Sequence, residues 1–176
     1  MEHDKLTLGQ VMQEAVEKRL LDLHTAIPAT IQIVNVDRTV DLNIAIQRIG
    51  PDDVPYSVAT LASVPVMFAG AVSYSISFPL EAGDEGLVIF NERDIGSFIK
   101  QGNSGPPTTL RKHAYSDAVF LPLGGLTDNN RRPVPFGSEG MILEHRTSGT
   151  KVTIKDTGVV ITGNLEVTGE VKGATV

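Results

Sequence analysis

The 176-residue chain contains no cysteine and no tryptophan. Without thiols it can form no disulfide, no thiolate metal site and no cysteine nucleophile. Aromatic residues make up only 5%, so a core must be packed from Val, Ile, Leu and Ala. Basic residues are outnumbered, 15 Lys and Arg against 21 Asp and Glu, which gives a net charge of −6. A surface of that sign repels a polyanion, and general nucleic-acid binding is disfavoured. No long hydrophobic run is present. The least polar stretch, residues 58–72, is interrupted by Thr60, Ser63 and Pro65 and falls short of the roughly 20 apolar residues that span a bilayer as a helix. The opening Met1-Glu2-His3-Asp4-Lys5 lacks the basic and apolar regions of a secretory signal, and none is expected.

What is present is a β-rich pattern. An apolar fraction of 41% suffices for a core, and 17 Gly with 10 Pro fit many turns. Only the N-terminus reads as a helix, over residues 7–24. Thr7 and Gln10 form a capping box, and Leu8, Val11, Met12, Ala15, Val16 and Leu23 share a face. Pro28 stops it. This arm, residues 1–28, either packs on its own domain or docks on a neighbouring protein.

From residue 30 the apolar period becomes two. Ile31 and Ile33, then Val40, Leu42, Ile44 and Ile46, flank Asp37-Arg38 and predict a hairpin. Further strands are expected over 60–67, 73–78, 87–90 and 118–121, with Tyr74, Phe78 and Phe90 in the core. Asn91 is placed to cap a short helix that ends at Gly102. Five or six strands and one inserted helix suggest a small OB-fold-like barrel over 29–125. Residues 126–140, rich in Gly, Pro, Asn and Asp, form a connector.

The tail, residues 141–176, is a series of short alternating segments between Gly149, Gly158, Gly163, Gly169 and Gly173. Val152 with Ile154, Val159 with Ile161, Leu165 with Val167, and then Val171 alternate with polar neighbours. Each segment is too short to build its own core, so the tail must stack on itself or wind around copies of itself.

Two blocks carry a resemblance. One is Gly83-Asp84-Glu85-Gly86-Leu87-Val88-Ile89-Phe90-Asn91-Glu92-Arg93, and the other runs from Arg111-Lys112-His113 through Ala118-Val119-Phe120-Leu121-Pro122. Followed by the glycine-punctuated tail, they resemble the membrane-puncturing central spike of contractile phage tail baseplates, from about residue 30 to the end. The resemblance implies an all-β protein with an N-terminal helix, an OB-fold-like barrel and a C-terminal intertwined trimeric β-helix. It implies a homotrimer seated on a baseplate hub, located in the virion, that pierces the host outer membrane on sheath contraction and plugs the tail tube before it. The trimer core would comprise Val152, Ile154, Val159, Ile161, Leu165, Val167 and Val171. Spikes of this family often end in a His-x-His iron site. Here the tail has no histidine beyond His145, so no metal is expected and a separate tip-capping protein is.

Other candidates are weaker. His113, Ser116 and Asp117 lie close in sequence, but no nucleophile elbow or second acid accompanies them, and a structural role is expected. Glu81, Asp84, Glu85 and Glu92 read as a solvated corner, and His3, His24, His113 and His145 lack ligand spacing. Arg131-Arg132 and Arg111-Lys112-His113 are the basic clusters. They lack the interleaved aromatics of a single-strand groove. No catalytic residue, cofactor or specific nucleic acid is expected. The rival readings are a trimeric tail fibre or adhesin that binds the host, and a trimeric β-solenoid enzyme.

Overall fold

The computed structural model describes residues 7–21, 23–50, 52–124, 140–171 and 173. The chain divides into two compact units, 1–133 and 134–176.

The first unit opens with helix α1 (Leu8–Leu21). Its capping box forms: the Thr7 amide donates to the Gln10 side chain at 2.7 Å, and the Gln10 amide donates to the Thr7 hydroxyl at 3.3 Å. Every side chain from 8 to 20 is exposed. The helix begins and ends close to its sequence signals, but none of those side chains is buried by another part of the described chain.

The strands follow as β1 (Ala26–Val34), β2 (Thr39–Ile44), the short pair β3 (Arg48–Ile49) and β4 (Pro55–Tyr56), and β5 (Leu61–Pro65). The two-residue pair β6 (Gly70–Ala71) and β7 (Tyr74–Ser75) comes next, then β8 (Glu85–Phe90), helix α2 (Gly96–Gln101), a 3-10 turn at Tyr115–Asp117, and β9 (Ala118–Pro122). Five strands form one antiparallel sheet in the order β5-β2-β1-β8-β9. A bulge between Ile31 and Ile33 bends β1. The sheet curls so far that its two outer strands meet: Val66 bridges Phe120 in parallel, and the Met67 amide donates to the Phe120 carbonyl at 2.8 Å. The result is a curled half-barrel whose open edges are drawn together.

Alternation decides what lies inside. Val40, Leu42, Val88 and Phe120 are completely buried, and Ala29, Ile31, Leu61, Val64, Phe90 and Ala118 complete the core. The expected hairpin is present, turned at 36–38, with Arg38 in the left-handed region at φ 67°.

Three expectations are corrected. Residues 73–78 form no full strand; only Tyr74–Ser75 pairs, with Gly70–Ala71. With no further ladder to hold it, that segment stays outside the core: Tyr74 is 81% exposed and Phe78 50%, while Phe90 is buried as expected. Asn91 does not cap α2. Its amide is taken by the Asp117 carbonyl at 2.7 Å, and α2 starts after Ile95. It does end at Gly102, whose φ of 68° suits glycine.

The second unit is a meander of β10 (Met141–His145), β11 (Thr150–Lys155) and β12 (Gly158–Thr162). The glycine-punctuated alternation therefore yields three strands. Leu165, Val167 and Val171 lie beyond Gly163 in backbone that forms no strand among the described residues. The connector expected over 126–140 and the pair Arg131-Arg132 fall, except for Gly140, outside the described residues. No helix among the described residues is long and apolar enough to cross a membrane.

Candidate functional site

The two sequence blocks singled out above are in contact. The turn of the first is clamped to β1, with the Gly83 amide donating to the Ile31 carbonyl at 2.6 Å and the Ile31 amide to the Asp84 carbonyl at 2.8 Å. Gly83 sits at φ 91°, where a side chain would be strained. Gly86 then presses its backbone against the Phe120 ring and the Leu121 carbonyl of the second block, and a Cβ there would collide with both.

Beyond β8 the same blocks are latched by polar groups. Asp94, nearly buried, accepts from the hydroxyls of Thr108 and Thr109 at 2.7 and 2.8 Å and from the Gly96 amide at 2.9 Å. Thr108, the Gly96 amide, Thr109 and the Arg111 charge hold its carboxyl well below the usual carboxylate range. Arg111 reaches Asp94 at 3.4 Å and donates to Asp117 at 3.1 and 3.3 Å. Its guanidinium pKa is raised, chiefly by the Asp117 hydrogen bond. Asp117, 1% exposed, also accepts from the Ile95 amide and the Ser116 hydroxyl.

This latch is chemically saturated rather than poised. Ser116 Oγ is 3.4 Å from Asp117, while His113 Nδ1 is buried with no hydrogen-bond partner, so that nitrogen cannot serve Ser116 as a base. His113, at φ 49°, contributes its backbone amide to Asn91 instead. Asp84 accepts from the Glu81 amide at 2.8 Å, as a self-contained corner. His145 Nδ1 lies 2.8 Å from the Ser148 hydroxyl inside the β10–β11 turn. No group of three His, Asp or Glu among the described residues is arranged to hold a metal ion.

The second feature is the tail sheet. Register places Met141 opposite Ile154 and Val159, and Leu143 opposite Val152 and Ile161. Side chains alternate across a sheet, so these six share one face. Five of them are exposed and Val152 is half-buried. On the other face lie Ile142, Lys151, Thr153, Val160 and Thr162, of which Thr153 is 2% exposed. The structure thus brings together four of the seven expected tail-core residues on one apolar face. Leu165, Val167 and Val171 are exposed and outside the ladder.

A third feature is a cavity of about 120 Å³ at the root of α1. His24 stacks on Tyr115, ring centroids 4.2 Å apart, and both rings tilt against Phe90. One Arg48 nitrogen lies 3.1 Å from His24 Nδ1 and 3.3 Å from Nε2. A nitrogen nearly equidistant from both can only lie over the imidazole face, because in the ring plane it would overlap the carbon between them.

The family model described as the phage protein Gp138 N-terminal domain matches residues 27–123. The chain belongs to this family. It is a phage structural protein and is associated with the virion. The Gp138 match begins in β1 and ends just after β9, so it takes in the curled sheet and the Asp94–Arg111–Asp117 latch. No curated protein matches the chain. Both quoted blocks fall inside the Gp138 domain, whereas α1 and the tail sheet lie outside it. Sequence reasoning had passed over Asp94, whose partners Thr108, Thr109 and Arg111 are distant in sequence. An acid followed by Gly96 at a helix start was the one available signal.

Proposed function

We propose that this phage protein is the central spike of a contractile tail baseplate, a homotrimer that plugs the tail tube and is driven through the host outer membrane when the sheath contracts. The observation that carries the reading is the uncovered apolar face formed by Met141, Leu143, Val152, Ile154, Val159 and Ile161. A soluble protein rarely leaves such a patch in water, and its cover here is the same face of two other copies. Residues 141–176 then wind into the trimeric β-helix, in which Leu165, Val167 and Val171 find the partner strands that a single chain lacks. Threefold closure removes the free sheet edges.

The strand order, with its parallel closing bridge, supports an OB-type barrel as the mount. The 14-residue α1 exposes every side chain along residues 8–20. Isolated helices shorter than about 12–15 residues are marginal in water, so α1 docks on the baseplate hub. A separate small protein caps the tip, and the role is mechanical, without catalysis.

The test compares the solution mass of the full chain with that of a chain stopped at Gly140. A trimer that falls to a monomer on truncation supports the spike. A monomer in both overturns it, and a trimer in both moves assembly out of the tail and removes the observation on which the reading rests.

A further inference from the structure

We infer that the cavity at the root of α1 is a binding site for a carboxylate carried on a small apolar stem, with Arg48 as its anchor. Arg48 is half-buried on β3, and among the described residues no carboxylate lies within ion-pair distance of it. That contrasts with Arg111, which holds two acids. Among the described residues, no acidic one lines the cavity. Arg48 meets His24 through one terminal nitrogen alone, which leaves its other N–H donors without a partner among the described residues, and a pair of them matches a carboxylate in two parallel hydrogen bonds.

The rest of the lining selects the stem. Ile27, Ile44, Val58 and Phe90 give an apolar wall, and the Tyr115–His24 stack gives a flat one. The volume of about 120 Å³ is a little below the roughly 150 Å³ that admits benzene in an engineered apolar cavity. Leu23 and Thr25, which also line it, are exposed, so a larger molecule can enter by one end. A free aromatic acid and the C-terminus of a polypeptide ending in an apolar residue share this chemistry. All of the lining residues belong to the first unit.

The full chain would be titrated with sodium benzoate, with N-acetyl-leucine and with benzamide, following the ring resonances of His24 and Tyr115. Saturable shifts with either acid and none with neutral benzamide are expected, and the tighter acid names the source. Arg48→Met should weaken binding about 10- to 100-fold, the loss of a charge-assisted pair, and Arg48→Lys should restore part of it. Val58→Phe, which keeps the arginine and fills the apolar end, should also abolish binding. No saturable shift with either acid, equal binding of benzamide, or full affinity in Val58→Phe overturns the proposal.

Discussion

Replacing Ile161 by aspartate tests the proposed assembly most directly. Met141, Leu143, Ile154, Val159 and Ile161 are 40–61% exposed on one face of the tail sheet. Full burial of such a side chain contributes about 1.5–3 kcal/mol, so covering the remaining half yields about 1 kcal/mol each. That is roughly 5 kcal/mol per chain and roughly 15 kcal/mol for three chains, before the association costs that absorb much of it. Ile161→Asp removes one contribution from every chain and carries three carboxylates into the new interface, at several kcal/mol per ion. The penalty is comparable to the whole gain, and the trimer should dissociate. Thr162→Asp is the control. It lies next in sequence but on the opposite face, across from Lys151, where a negative charge is tolerated. Light-scattering mass reads both variants, while circular dichroism checks that the barrel is intact. An Ile161→Asp trimer as tight as wild type, or equal dissociation of both variants, would refute the reasoning.

Gly86→Ala should destabilise the first unit by about 1–3 kcal/mol or more through overpacking, because its Cβ meets the Phe120 ring and the Leu121 carbonyl. Adding Phe120→Leu should recover part of that loss, so strictly additive denaturant midpoints would contradict the contact. Asp94, Asp41 and Asp37 all have carboxyl pKa values lowered from 3.8 in the fold, by hydrogen bonds to Thr108, to the Ser63 amide and to Thr39 respectively. Their contribution is therefore present above pH 3.8 and is lost as pH falls through the lower folded values. A thermal midpoint that drops on acidification, with a shallower drop in Asp94→Asn, is expected. Deleting residues 1–21 should leave the melting of the first unit within about 0.5 kcal/mol of wild type, and a loss well beyond that would mean α1 packs on its own domain.

Local signals were legible and distant ones were not. Thr7 and Gln10 marked the start of α1 because a capping box is complete within four residues. The Asp37-Arg38 hairpin was legible for the same reason, and there Asp37 also accepts from the Thr39 hydroxyl at 2.6 Å. The segment around Tyr74 and Phe78 misled because alternation states which faces a strand would have, not whether a neighbour exists to pair with it. The latch was invisible because Asp94 meets Thr108, Thr109 and Arg111 only once β8 and β9 are side by side. In the tail the alternation correctly grouped Val152, Ile154, Val159 and Ile161, since β11 and β12 are joined by a tight turn. Leu165, Val167 and Val171 have no such neighbour among the described residues.

The two sheets differ in one further respect, the time they need to form. In the tail each strand pairs with the one just before it, and hairpins of that kind close in roughly 1–10 μs. In the half-barrel, Ala26 must find Ile89 and Val66 must find Phe120, and sheets built on such long-range pairings fold in roughly milliseconds to seconds. A full-length chain refolding from denaturant therefore presents the apolar side of its tail while its barrel is still searching. Encounters between chains compete with barrel closure, and the yield of correctly assembled protein becomes a matter of how concentrated the chains are as they refold.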